Sequence, residues 1–375
     1  MHKSFKSLGL ILIGLSFCLL NNCSNSLINN DSIPPLAKGT IIIVGAPASG
    51  KSSLAIKDPS GNITLLTKEL GSIASDAKTQ GNNFYILHSG DNTLKILDLT
   101  TLKTNKDLFL GAGSNVYEIT LVDTEKAYVS NFLKGSVSVI DLTNDTNPVI
   151  STIQMPTENS LAPFDQTKPT FSGPAAIYYD APTNKAYVGL TNLDANYQPG
   201  GPGLLAIINA NTNTLESVVT SNFTNPQFIY FNTKFVDYLF ISFAGSFFDN
   251  SDGAILIFDL KTQQFVAEIK NLESPMRMAI DQNGNGLFTD GGFGTNLGRF
   301  NANSFGYDKK ITLQSSAITF SAYAWISDIY CDSQNSWYCT VVDNKNGYLC
   351  KIDYDGNVLA LFKVNSSPYR IIEIK

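Results

Sequence analysis

Residues 45–52, GAPASGKS, have the spacing G-x-x-x-x-G-K-[ST] of a phosphate-binding loop and follow the apolar run TIIIV. In such a loop the backbone N–H groups and Lys51 would cradle phosphates, and Ser52 would sit on magnesium. That chemistry needs a helix next, and Pro59-Ser60-Gly61 stand within nine residues of Ser52. No nucleotide is therefore expected. DQNGNG, residues 281–286, resembles the start of a calcium loop, with Asp281, Asn283 and Asn285 correctly spaced. Position twelve is Gly292, where such loops need a bidentate Glu. The sequence thus calls for no cofactor, with calcium at these three residues as the one alternative. Only His2 and His88 are present, so a Ser-His-Asp triad or a His-rich metal site has no material. No catalytic residue is assigned.

Three of the five cysteines, Cys331, Cys339 and Cys350, fall near the C-terminus. Cys331 and Cys339 flank the turn DSQNS and are the expected disulfide. Cys339 and Cys350, flanking DNKNG, are the rival pair. Either leaves one odd thiol.

The elements that would position these residues come from a repeat. LAIKDPSGN, LKILDLTTL, VSVIDLTND, LAIINANTN, ILIFDLKTQ, LGRFNANSF and LCKIDYDGN each read as an alternating strand ending in Asp or Asn before a turn. The punctuating residues are Asp58, Asp98, Asp141, Asn209, Asp259, Asn301 and Asp353, at spacings of 40, 43, 68, 50, 42 and 52. Asp and Asn suit this place because their side chains accept from backbone N–H groups two residues on. A second strand precedes each one, as in KAYVSN and YLFISFAG, and a third often follows proline, as in NPQFIYFN. Helical periodicity is absent. The period is that of a four-stranded propeller blade.

KAYVSNFLKGSVSVIDLTND, residues 126–145, resembles the YVTN β-propeller repeat, whose core reads YVTN-x-x-x-N-T-V-S-V-I-D. Residues 82–104 are a second match, and the others are more degenerate. The resemblance spans residues 39–375 and implies a single all-β, seven-bladed propeller. The C-terminal SSPYRIIEIK has the look of an inner strand, while the first repeat supplies only outer ones. N- and C-terminal strands would then close the ring in one composite blade.

Propeller topology gathers the loops between blades and those between second and third strands on one face. The longest loops belong to that set and carry Phe164, Asp165, Tyr197, Phe247, Phe248, Asp249 and Phe293. Exposed aromatics beside carboxylates suit a partner-binding surface. At the channel mouth, aligned inner strands begin near Glu118, Arg277, Trp325 and Arg370.

Charged residues make up 15%, and Lys plus Arg total 26 against 32 Asp plus Glu, a net charge of −6. Without a basic footprint, nucleic acid is not an expected partner. Residues 1–22 read as a signal peptide, with Lys3 and Lys6 ahead of the apolar run 8–20. Leu20-Asn21-Asn22-Cys23 resembles a lipobox, which makes Cys23 the lipidation site. Residues 23–38 form a polar tether. The expectation is a lipoprotein anchored in the cell envelope, in the outer membrane on either side, that binds a protein or glycan through its long-loop face. The alternatives are a lactonase-like hydrolase, because a sugar-lactonase family shares the repeat, and a small-ligand sensor at the channel.

Overall fold

The structure is a computed structural model that describes residues 26–28, 35–48, 50–66, 70–158, 170–246, 252–290 and 294–375. Seven antiparallel sheets of four strands stand around a central axis, and no helix occurs among the described residues. Blade 3 illustrates the pattern. Its strands run Val116–Leu121, Lys126–Asn131, Ser136–Asp141 and Val149–Gln154 from inside to outside, each paired with the next.

The inner strands of the other blades begin at Ala74, Pro174, Pro226, Met278, Trp325 and Pro368. They meet one another around the axis. Between blades 5 and 6 the link is the Tyr230 hydroxyl, 3.2 Å from the Ile280 N–H. The two ends of the chain share blade 1. Its inner strand Pro368–Glu373 pairs antiparallel with Ile41–Gly45, which is followed outward by Ser53–Lys57 and Ile63–Leu66. Ser26–Ile28 adds a fifth, parallel strand to the outer edge of this blade. The polar segment before the propeller therefore includes a short strand.

Burial follows from stacking blades face to face. A middle strand is covered on both sides, so it reads apolar at nearly every position rather than at alternate ones. Phe84, Tyr85, Ile86 and Leu87 are all buried. Tyr85 and Leu87 pack with Ile119, Ala127 and Val129 of the next blade, while Phe84 and Ile86 join Ile42, Val44 and Leu54 on the other side. The outer strands have water on one side, so their burial alternates, as in Gln264–Leu272.

Each Asp or Asn that punctuates a third strand closes its turn locally. Asp98 Oδ1 accepts from the N–H groups of Thr100 and Thr101 at 2.9 and 2.8 Å. Asp259 does the same with Lys261 and Thr262, both at 2.8 Å. Asp58, Asp141, Asn209, Asn301 and Asp353 accept from Asn62, Thr143, Asn211, Asn303 and Asp355. Backbone donation from Thr101 and from Thr262 holds the carboxyls of Asp98 and Asp259 below their ordinary range.

The phosphate-loop motif lies in a strand-to-strand connection. Strand Ser53–Lys57 follows it, with no helix to receive a phosphate. Ser52 is buried and accepts from the Ala74 N–H at 2.8 Å, and Lys51 lies 3.5 Å from Asp91.

The expected Cys331–Cys339 disulfide is incorrect. Cys331 stands opposite Trp337, and Cys339 stands opposite Ile329 on one side and Cys350 on the other. The reason is the turn. Asp332 Oδ1 accepts from Gln334 and Ser336, and Asn335 takes a left-handed φ of 61°. The hairpin closes tightly there, and the strand register shifts by two residues from a symmetric placement of the cysteines. All three thiols are free.

Candidate functional site

The site is built on irregularities in the inner strands. Register breaks recur where these strands begin: between Ala74 and Asp76, Pro226 and Phe228, and Ile326 and Asp328. The same break separates the partners of Val44 and Gly45, leaving Tyr369 between Pro368 and Arg370. A bulge inserts one residue and re-aims the side chains around it. Here it turns consecutive polar and aromatic residues toward the axis. Some lock neighbouring blades together. The Ser75 hydroxyl donates to Val116 O at 2.9 Å, and that of Ser130 to Ala175 O at 2.7 Å. Asp76, Glu118 and Asp328 each accept a backbone N–H from the next blade, of Ile119, Ile177 and Ile371 respectively.

These carboxylates converge in the channel with three cations. Arg370 donates to Asp76 through Nε at 2.9 Å and through Nη2, and its Nη2 lies 3.4 Å from Glu118. Lys78 Nζ lies 3.7 Å from both Asp76 and Glu118. Complete burial by itself raises the Asp76 carboxyl, but Arg370, with Lys78 and Arg277 behind it, holds it below the ordinary range. Burial wins at Asp328, whose carboxyl is raised although Arg370 and Arg277 oppose the shift.

Arg277 is different. Its nearest carboxylate is Glu118 at 3.9 Å, too far for a hydrogen bond. Its Nε is buried and has no hydrogen-bond partner among the described residues. Its guanidinium lies over Phe228, with Cζ 3.5 Å from the ring centroid, and 5.7 Å from that of Tyr369. Arg277 lines two cavities. One, of about 180 Å³, is lined by Lys78, Glu118, Asp328 and Arg370. The other, about 120 Å³, opens at the mouth between Tyr117, Phe228, Asp290, Trp325 and Tyr369. Glu118 and Arg370 therefore sit inside the channel, while Arg277 and Trp325 line its mouth. Asp76, Lys78, Asp328, Tyr117, Phe228 and Tyr369 were not singled out in the sequence. The bulges that bring them inward leave no local motif.

From Tyr117 a run of rings leads outward over the long-loop face. Tyr117 stacks on Phe132 at 5.7 Å, Phe132 meets Phe171 edge-on at 5.5 Å, and Phe171 meets Tyr197 edge-on at 5.9 Å. Tyr197 is 50% exposed and has a left-handed φ of 60°, a strained conformation for a bulky residue. Asp194 imposes it by accepting from Asn196 and Gln198 at 2.8 and 3.0 Å. Phe164, Asp165, Phe247, Phe248, Asp249, Phe293 and Cys23 lie outside the described residues.

Asp281 Oδ1 accepts from the N–H groups of Asn283 and Asn285, and its Oδ2 accepts from the Asn285 amide. The hairpin's own donors thus occupy both oxygens. His88 is buried, with Nε2 accepting from the Gly71 N–H at 3.1 Å. Burial, with Lys95 adding to it, lowers its pKa to about 4, so it is neutral at physiological pH.

No family model matches the chain, and no curated protein matches it. Solved structures do. A protein from Lactobacillus plantarum superimposes with a TM-score of 0.62 at 15% identity, covering 90% of this chain and 100% of that one. The dihydro-heme d1 dehydrogenase NirN, in complex with DHE, gives 0.56 at 14%, covering 92% and 77%. Hydrazine synthase from Kuenenia stuttgartiensis gives 0.56 at 11%, covering 74% and 76%. At such identities the likeness is one of fold, and it places this chain among the β-propellers.

Proposed function

We propose that this protein is a binding scaffold of the cell envelope, built from YVTN-type blades, lipidated at Cys23, and engaging a protein or glycan through its long-loop face. The observation that carries the reading is the ring run Tyr197–Phe171–Phe132–Tyr117, which joins an exposed, strained aromatic to the channel mouth. Aromatic side chains present large contact area at low entropic cost and dominate recognition surfaces. Hydrolysis is the weaker reading. Three carboxylates do converge on the channel, but Asp76, Glu118 and Asp328 already accept from cations or backbone N–H groups. Their lone pairs hold the ring together.

Cross-linking in intact cells tests the reading, with a variant in which Gly-Ser linkers replace residues 157–170 and 246–251 and Tyr197 is changed to Ser. A partner captured by the natural chain and lost in the variant supports it. Equal capture by both overturns the assignment of the face. Labelling with a radioactive fatty acid that Cys23→Ala abolishes supports the anchor, and labelling that survives this change overturns it.

A further inference from the structure

We propose that the mouth cavity is a binding site for a small monocyclic carboxylate, held by Arg277. The proposal goes beyond the scaffold reading and does not depend on a macromolecular partner.

Charge comes first. Arg370 and Lys78 each have anions close by, and Arg370 hydrogen-bonds to both Asp76 and Glu118. Arg277 is 7% exposed, yet no described side chain accepts from it, and its buried Nε is unpartnered. Leaving a buried charged donor without a hydrogen-bond acceptor is costly, and Glu118 at 3.9 Å supplies none, which makes an incoming anion favourable. An Arg fork suits a carboxylate because its parallel N–H groups match the two oxygens.

Shape comes second. The cavity measures about 120 Å³. That is somewhat below the roughly 150 Å³ of an apolar cavity that takes one benzene ring, so a single ring is the upper limit of what it encloses. The walls here are Tyr117, Phe228, Trp325 and Tyr369, which offer faces and edges to a flat body. Asp290 lies on the same cavity, and its carboxyl is raised by burial and then by Glu273. A nearby acid tolerates a monoanion better than a phosphate dianion.

Benzoate is the probe. Trp325 lines the cavity and is one of two tryptophans in the chain, so its fluorescence reports occupancy. The full chain is titrated with benzoate, with benzamide as the uncharged isostere and with inorganic phosphate. The expected result is a saturable change at millimolar benzoate that weakens by roughly tenfold or more in Arg277→Met, as losing a charge-assisted contact requires. Benzamide and phosphate should leave the signal unsaturated. Ser274→Leu fills the cavity while leaving Arg277 in place, and it should abolish binding even if Arg277→Met fails to fold. The proposal is overturned by no saturable benzoate signal, by equal binding of benzamide, by phosphate binding in place of benzoate, or by unchanged affinity in Ser274→Leu. Because the titration uses purified protein, its failure leaves the cross-linking result intact.

Discussion

Arg370 and Asp76 lie 294 positions apart in sequence and are joined inside the channel by two hydrogen bonds from one guanidinium to one oxygen, the Nε contact measuring 2.9 Å. The pair ties the last strand of the chain to the second blade, so the ion pair and the ring closure are one feature. Asp76 offers its other oxygen to Ile119 of the third blade, 3.1 Å away. Three blades thus depend on a single carboxylate.

Removing Arg370 should be costly. Arg370→Met leaves Asp76 charged and buried, and breaking one partner of such a pair costs about 3–5 kcal/mol. The midpoint of urea unfolding measures it. Asp76→Asn with Arg370→Met together should cost clearly less than the two single changes added. Simple additivity would show that the pair does not couple the blades.

Acid sensitivity should come from His88. Its folded pKa is about 4 against an ordinary 6.5, so between these values the unfolded chain holds the extra proton. Stability is full above about pH 6.5 and falls as the pH drops toward 4, by about 3 kcal/mol in all. His88→Gln keeps an acceptor for the Gly71 N–H and should flatten the slope of melting temperature over that window. Asp76, whose carboxyl is lowered, loses its contribution only at more acid pH. A slope that persists in His88→Gln would assign it elsewhere.

Gly71→Ala should destabilise by a different route. A Cβ there would lie 2.4 Å from the His88 ring, which is buried and cannot retreat. Overpacking of this kind costs about 1–3 kcal/mol. The thermal midpoint should fall, and Gly71→Ala combined with His88→Ser should recover part of the loss.

Thiol chemistry should separate the cysteines. Cys339 and Cys350 are buried and directly opposite, so alkylation should reach them only on unfolding. Cys331 is partly exposed, but burial and the nearby carboxylates of Asp281, Asp332 and Glu373 push its thiol up to about 12, which makes it slow at neutral pH. Peptide mapping after mild oxidation should find Cys339 linked to Cys350. A Cys331–Cys339 link would contradict the register.

Truncation before Pro368 should abolish cooperative unfolding, because it removes the inner strand of blade 1 and Arg370 together. A sharp circular-dichroism melt for the truncated chain would show that the ring closes without it.

The sequence by itself determined whatever is written in local contacts. Asp98 works with Thr100 and Thr101, and Asp259 with Lys261 and Thr262, so the turns, their period and the seven blades are readable residue by residue. The double-sided burial of strands such as Asn83–His88 shows in their near-continuous apolar runs. Tertiary structure decided the rest. The pairing of Cys339 with Cys350 depends on how many residues a turn consumes, which a hydrophobic pattern does not encode. The channel draws Asp76, Glu118, Arg277, Asp328 and Arg370 from five different blades. Their partners are fixed by bulges and by closure of the ring, where sequence separation has no bearing on distance. Arg277 has the same residue type as Arg370. Only the fold makes one a clasp between blades and leaves the other without a described side-chain hydrogen-bond acceptor beside an open cavity.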